Sequence, residues 1–304
     1  MLRMLKCAWA HRHESRAPRR SSRVIAACCA AFLTLAQHGH LRAATVTQAT
    51  GSRTARQAAV RALPLDKLSG ELRAKVSRVV SKPTIFRRLP IEVTDCDPNL
   101  YLFLVKHPEV VVNIWEVMGI SKVTLTRTGE GTYEARDGSG TTGTLTYGYS
   151  DHDTQLIYAE GAYEGPLFSR PLKARCVLLL KSAYMQETNG RYYVTSRLDT
   201  FIQIENAGID LLAKSFHPLV IKSADYNFTE TAGFVGTISR TAELKPQGML
   251  RLNAKLTQLE PKVRNRFAEL TLGVAEDARA RGATQLALRP SSSESKKAKR
   301  SEHR

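Results

Sequence analysis

Hydrophobic positions after the first sixty residues recur at three- and four-residue steps, and later positions alternate. The first pattern predicts an amphipathic helix over residues 65–80, because side chains at this spacing share one side of a helix. Its members are Leu65, Leu68, Leu72, Val76 and Val79. The stretch TIFRRLPIEVT then alternates at Leu89, Ile91 and Val93, which predicts a strand. Pro90 places this strand at a sheet edge or a bulge.

Two short helices are predicted next. Asp97 is a suitable N-cap and Pro98 suits the first helical position. Pro108 ends that helix and begins another over residues 108–118, which Gly119 ends as a left-handed cap.

The second of these helices competes with a strand, because Val110 to Val112 favour extended structure. A strand leaves no clean alternation, whereas in a helix Glu109, Asn113 and Glu116 fall on one narrow line and every other side is apolar. The pattern therefore favours a short, nearly buried helix.

Residues 122–205 contain six β-rich pieces separated by turn signals such as Asp137 to Gly140 and Asn189-Gly190. Asn-Gly between two such pieces is a strong hairpin signal. An antiparallel meander of six strands is predicted, with one packed face and one wet face.

The helical period returns at Ala207 and predicts a long helix to about Arg240, kinked or restarted at Pro218. A further helical region covers 249–281, with Pro261 opening its second half. Residues 45–62 are polar and acid-free and are interpreted as a linker. Residues 289–304 are predicted to be a disordered basic tail.

This order of elements resembles the helix-grip superfamily of START domains, birch-pollen allergens and polyketide cyclases. Leu89 to Thr94, Asp97 to Met118, Lys122 to Glu205 and Ala207 to Arg240 carry the resemblance. It implies an α+β domain over residues 63–245, in which a curved antiparallel sheet wraps around a long C-terminal helix. The 65–80 helix and an additional helical segment, 246–288, are departures from the family pattern.

The resemblance implies a cavity between sheet and helix that binds a hydrophobic small molecule or lipid. Candidate ligand-binding residues are Trp115, Met118, Tyr147, Tyr158, Tyr192 and Phe216. Plain core packing is the alternative for each of them. A cyclase or hydrolase on the same fold is an alternative function and needs a polar pair in the cavity. A protein-interaction module using the 249–281 helices is another.

Catalytic and cofactor motifs are missing from the sequence: it has no G-x-S-x-G, no H-E-x-x-H and no phosphate-binding glycine loop. No cofactor and no metal are expected. Asp151 to Asp153 lie where a hairpin turn is needed. Arg175 and Arg197 are expected to face solvent, with a ligand anion as the alternative partner.

The first 44 residues are interpreted as an export signal. The apolar run Val24–Ala36 follows Arg12, Arg16, Arg19, Arg20 and Arg23 and is too short to span a bilayer. Cleavage after Ala36 fits the small residue there. A periplasmic or secreted location is expected, and an organelle-targeting peptide is the alternative.

The formal net charge of +17 lies largely in the two ends of the chain. Residues 1–44 hold eight Lys or Arg against one acid, and 289–304 hold six against two. The body is only mildly basic, so nucleic acid is not an expected partner. The tail can touch an anionic membrane.

Two cysteines, Cys96 and Cys176, remain if the export signal is removed. In an oxidising compartment they can pair and close a long loop. The alternative is two buried thiols.

Overall fold

The structure is a computed structural model that describes residues 48–165, 170–205 and 210–287, with side chains of the last range described from 220 to 282. The export signal, its cleavage site and the basic tail lie outside these ranges.

Two helices precede the sheet: α1 (Arg53–Arg61) and α2 (Gly70–Ser81), with a 3₁₀ turn at Leu65–Lys67 between them. Helix α1 lies within the segment interpreted as a linker, so that interpretation is wrong for residues 53–61. Ser52 caps it by accepting a hydrogen bond from the Ala55 amide, and Ala59 is completely buried. The sequence pattern does not predict this helix, because an apolar face made of alanines gives a weak hydrophobic signal.

Eight strands form one antiparallel sheet in the described chain. They are β1 (Ile85–Arg88), β2 (Glu92–Asp95), β3 (Thr124–Gly129), β4 (Thr132–Arg136), β5 (Thr141–Ser150), β6 (Thr154–Tyr163), β7 (Leu172–Gln186) and β8 (Tyr192–Ile204). Their order is β1-β8-β7-β6-β5-β4-β3, and β2 also pairs with β8. The meander β3 to β8 confirms the six predicted strands. The predicted first strand is two short strands separated at Pro90.

The other helices are α3 (Pro98–Lys106), α4 (Pro108–Val117), α5 (Asp210–Leu244), α6 (Pro246–Lys255) and α7 (Pro261–Ala287). The Asp97 side chain accepts a hydrogen bond from the Leu100 amide at 2.9 Å, and Gly119 has a positive φ of 68°. The predicted helix pair is therefore confirmed. Helix α5 is continuous through Pro218, so of the predicted kink or restart the restart is wrong.

The two faces of the sheet are covered by different helices. We call the side under α1 and α2 the outer face; it carries Val177 and Phe201, both completely buried. The opposite side, the inner face, meets α3, α5, α6 and α7 at the end that carries Val194. The prediction of one wet face is thus wrong for the region under α1 and α2, where Asp199 is 0% exposed.

A pair of glycines marks a close approach of strands β5 and β6. Gly143 lies opposite Gly161. A Cβ atom on Gly143 would lie 2.8 Å from the Glu160 carbonyl oxygen, and one on Gly161 would lie 2.5 Å from that of Thr142. Larger residues would force the strands apart, so the glycines permit the local curvature of the sheet.

Candidate functional site

The centre of the inner face is apolar but incompletely covered. Alternate residues of neighbouring strands point there, and each retains part of its surface exposed: Leu145, Ile157, Ala159, Cys176, Leu178, Leu180, Leu198 and Ile202. Their neighbours on the outer face, Leu156, Val177 and Leu179, are 0% exposed. We call the eight-residue set the inner apolar surface. A sheet usually packs such a surface against another layer, so its partial exposure distinguishes it from the outer core.

Helix α5 borders this surface on the side of β1 and β2. Arg87 points from β1 to the inner side, and its guanidinium binds both carboxylate oxygens of Asp225 on α5, with Nε 3.0 Å from Oδ1. Thr229 donates a hydrogen bond to Glu92 on β2. Further along, a Cβ on Gly236 would lie 3.0 Å from the Thr94 methyl group, so the helix passes close to the strand there.

Helices α3 and α4 border the surface on the side of β4 and β5. The Tyr147 hydroxyl donates to the Val105 carbonyl oxygen at 2.6 Å, and the Tyr133 hydroxyl donates to that of Lys106 at 3.3 Å. Trp115 of α4 packs on Phe234 of α5, with ring centroids 5.7 Å apart. The inner apolar surface is therefore framed by three helices.

Two side chains show that this surface lies deep in the protein. Burial raises the pKa of the Cys176 thiol to about 12. Burial, followed by the nearby Tyr133 and Glu109, raises the pKa of Tyr147 well above its ordinary value. Both residues nevertheless keep part of their surface exposed. Both side chains are therefore largely removed from water although neither is completely covered.

The residues predicted to bind a ligand are divided among different places. Tyr147 lies on the inner face, and Trp115 lies at the contact between α4 and α5. Met118 is 55% exposed at the end of α4. Tyr158 lies on the outer face, where its hydroxyl donates to Glu160 at 2.9 Å.

The other two predicted ligand residues lie elsewhere. Tyr192 begins β8 on the inner side, eight residues from Thr200, a separation of about 26 Å along a strand. Phe216 belongs to α5, but its side chain lies outside the described residues. Of the six predicted residues, Tyr147 and Tyr192 therefore lie on the inner side of the sheet and Trp115 lies in the helical frame, and their ligand-binding role stays a prediction.

Cys96 and Cys176 are both free thiols, so the disulfide hypothesis is wrong; of the two thiols, Cys96 is buried and Cys176 is partly exposed. Cys96 bonds through its amide to Tyr192 at one end of β8, whereas Cys176 lies opposite Ile202 near the other end. This places them about 30 Å apart along the strand direction, whereas a disulfide needs Cα atoms within about 7 Å.

The inner face also carries polar residues that the sequence analysis missed. Gln155 and Thr200 are 2% and 5% exposed, and the Gln155 Oε1 and Thr200 Oγ1 atoms have no hydrogen-bond partner among the described residues. Next to them, the Tyr101 hydroxyl contacts Ser182 at 2.9 Å and Ser196 at 2.7 Å. The available signal was a polar residue at an inward position of an alternating strand.

A concave region lies on the outer face, beyond α2. It is a groove of about 400 Å³ that is lined mainly by polar and charged residues, including Glu134, Thr144, Glu160, Lys173 and Arg175. Arg175 is paired there with Glu205 and lies 3.8 Å from Glu160. These ion pairs account for Arg175 without a ligand anion, and the groove does not suit an apolar molecule.

The remaining sequence features give no catalytic constellation. Asp151 Oδ1 accepts hydrogen bonds from the Asp153 and Thr154 amides at 2.9 and 2.6 Å, which confirms the predicted turn. Within the described ranges, no three His, Cys, Asp or Glu side chains are placed to hold a metal ion. No described helix is both long and apolar enough to cross a membrane.

Comparison with known proteins gives no assignment. No protein-family model matches the chain, and a search of curated proteins finds no matching relative.

Proposed function

We propose that the protein holds a hydrophobic small molecule or lipid against the inner apolar surface, without changing it chemically. The observation that supports this is the partial exposure of eight apolar side chains at the centre of a sheet whose other face is closely packed under α1 and α2. The α+β arrangement, a curved antiparallel sheet with long C-terminal helices packed on it, is compatible with the helix-grip resemblance, which leads to the same function.

The energetic basis is the hydrophobic effect. Each Å² of apolar surface that a ligand removes from water contributes about 25 cal/mol. A ligand that covers the exposed parts of the Leu145, Ile157, Leu178 and Leu198 side chains removes both its own apolar surface and theirs from water, and both contributions favour binding. The framing helices hold those side chains in place beforehand, so little ordering free energy is lost on binding.

Export completes the proposal. The apolar run Val24–Ala36 suits a secretory signal. A soluble carrier outside the cytoplasm allows a poorly soluble molecule to cross an aqueous space. The mature chain would then retain the whole inner apolar surface.

The test uses N-phenyl-1-naphthylamine, a neutral dye whose fluorescence rises in apolar surroundings. Delipidated protein should bind it saturably at about one dye per chain. Replacing Ala159 on the inner apolar surface with Phe should occupy the space and weaken binding about tenfold or more. The matched control is Ala162→Phe, because Ala162 lies three residues along the same strand but faces the outer groove.

Two outcomes would contradict the proposal. The first is an absence of saturable dye uptake by delipidated wild-type protein. The second is equal dye affinity in the A159F and A162F variants, since a dye bound elsewhere is insensitive to which face is filled.

A further inference from the structure

The polar residues Glu109, Asn113 and Glu116 follow one line along α4, here called the polar line, and the first two of them are buried. Glu109 and Asn113 are each 5% exposed. At 3.6 residues per turn they lie on the opposite side of α4 from Val111, which joins the core formed with α3, α5 and α7. The polar line therefore faces away from that core, and α4 packs on β3. An ordinary surface helix turns such a line to water.

Two oxygen atoms on this line lack a hydrogen-bond donor among the described residues: Glu109 Oε2 and Asn113 Oδ1. The other Glu109 oxygen lies 3.1 Å from His107 Nδ1. The Asn113 amide nitrogen donates to Glu116 Oε2 at 3.3 Å, which fixes the orientation of the amide and directs its oxygen the other way. Buried acceptors without a donor cost free energy, so each indicates a missing partner.

The Glu109 carboxylate lies beside the inner face. Burial and then the negative charge of Glu109 raise the pKa of Tyr133, and Glu109 also contributes to the raised pKa of Tyr147. Both tyrosine side chains point inward from neighbouring strands. The Tyr147 hydroxyl proton is donated to the Val105 carbonyl oxygen at 2.6 Å. The Tyr133 hydroxyl lies 3.3 Å from the Lys106 carbonyl oxygen and also interacts with the Glu109 carboxylate, so a head group that donates to Glu109 Oε2 competes with Tyr133 for this carboxylate.

The same bias towards acceptors continues across the inner face. The Gln155 amide donates to the Asp151 carbonyl oxygen at 2.7 Å and leaves its Oε1 without a donor. The two strand cations on the inner side are engaged: Arg87 with Asp225, and Arg127 with Glu260 at 3.5 Å. Besides the Gln155 acceptor, the described surface offers the unpartnered Thr200 hydroxyl, which can donate or accept, and no free cation from its strands. The absence of a free cation on these strands disfavours a ligand carboxylate.

We propose that the bound molecule has a head group with N–H or O–H donors and no negative charge, an alcohol or an amine, and that Glu109 Oε2 and Asn113 Oδ1 accept its hydrogen bonds. This inference rests on the proposed function and names the ligand class. Residues four apart on a helix place their Cβ atoms about 5–6 Å from one another, so one head group can reach both oxygens. Its hydrocarbon part lies along the inner apolar surface.

The test compares three competitors of equal chain length: dodecylamine, dodecanol and dodecanoate. Each is titrated against protein loaded with N-phenyl-1-naphthylamine. Dodecylamine or dodecanol should displace the dye at a concentration at least tenfold lower than dodecanoate. The amine and the alcohol donate hydrogen bonds to the buried oxygens, whereas the carboxylate of dodecanoate has no donor and is repelled by Glu109. Tighter binding of the amine than of the alcohol identifies a cationic head group, and the reverse identifies a hydroxyl; either result supports the inference.

Variants assign the preference to α4. Glu109→Gln presents an amide N–H₂ in place of the carboxylate and should reduce the preference over dodecanoate about tenfold. Asn113→Leu removes the second acceptor and should weaken amine and alcohol binding without affecting apolar dye uptake. The control is Glu134→Gln, since Glu134 follows Tyr133 but is exposed on the outer face. Because it removes one negative charge, as E109Q does, it also measures the general attraction of dodecanoate to the basic chain.

The outcomes separate this inference from the proposed function. If wild-type protein binds the dye but prefers dodecanoate, the head-group inference fails and the carrier function stands. The same conclusion follows if the E109Q and N113L variants fold and keep the wild-type preference. If wild-type protein does not bind the dye, the proposed function itself fails.

Discussion

Arg87 on β1 and Asp225 on α5 form a two-point ion pair across the edge of the inner face, with Nε 3.0 Å from Oδ1 and side chains 19% and 22% exposed. The next residue, Arg88, forms an ion pair on the other face of the sheet. Arg88 points to the outer face and binds Asp199 through Nε at 2.6 Å and Nη2 at 2.9 Å. Two adjacent arginines therefore bind β1 to α5 on the inner side of the sheet and to the neighbouring strand β8 on the outer side.

The Arg87–Asp225 pair predicts the effect of a neutral substitution on α5. Asp225→Asn keeps the shape but removes the charge, and should lower the free energy of unfolding by about 1–3 kcal/mol, because hydrogen bonds to charged groups contribute this much. Urea denaturation measures it. The control, Asp66→Asn, alters an acid whose side chain is 73% exposed and should cost less than about 0.5 kcal/mol. Equal losses in the two variants would show that the Arg87–Asp225 pair does not stabilise the contact between β1 and α5.

The Arg88–Asp199 pair is buried more deeply and predicts a larger loss. Asp199 is completely buried, so Asp199→Ala leaves the Arg88 charge without its partner and should destabilise the fold by about 3–5 kcal/mol. Thermal unfolding provides the measurement. Glu187→Ala, in the exposed turn before β8, is the comparison. A loss below about 1 kcal/mol for D199A would mean that Arg88 finds water or another acceptor.

The C-terminal helices predict the outcome of truncation. Helices α6 and α7 and the connection between them contribute Met249, Leu256, Leu259, Val263 and Phe267 to the core around α3 and α5. A chain that stops after Leu244 should lose its cooperative unfolding transition, whereas one that stops after Ala287 should keep it. Calorimetry distinguishes the two. A cooperative fold in the shorter chain would favour the interpretation of the 249–281 helices as a separate partner surface.

The two thiols predict a pH and ligand dependence of alkylation. Burial raises the pKa of both Cys96 and Cys176 to about 12 from an ordinary 9.0. The thiolate is the reactive form, so below pH 12 its fraction, and the rate of alkylation by N-ethylmaleimide, should rise tenfold per pH unit. A rate that levels off at pH 9 would show an ordinary thiol.

A bound ligand should change only one of these rates. N-phenyl-1-naphthylamine should slow alkylation of Cys176, which lies on the inner apolar surface, and leave Cys96 unchanged, because Cys96 is 1% exposed in the α3 core. Peptide mass spectrometry separates the two sites, with Cys176→Ser to confirm the assignment. Protection of both thiols would indicate general stabilisation rather than binding at the inner face.

Much of the local structure could be predicted from short-range chemistry. Asp97 and Pro98 begin α3, Pro108 begins α4, and Gly119 adopts the positive φ that its position requires. The turn at Asp151 is formed by its own side chain. Each of these features depends on atoms within a few residues of one another, so the pattern of residues along the chain carries the information.

Prediction was poorer where long-range packing selected the environment. The alternation of β8 predicts which residues share a face of the sheet but not which face is buried. Phe201 and Asp199 are buried because α1 and α2, over one hundred residues earlier in the chain, cover them. The helical spacing of Glu109 and Asn113 was also evident. Their burial depended on the placement of α4 against β3, which no local pattern encodes.

The amino-acid sequence alone therefore determined α2, α3 and α4, the strands of the meander and their order, because periodicity, capping and turn chemistry act between near neighbours. Tertiary structure decided which surfaces were buried: it separated Cys96 from Cys176 along β8, divided Tyr147 from Tyr158, and left the inner apolar surface partly uncovered. The physical reason is that burial is a property of whole layers, and a residue's exposure depends on which distant element packs over it.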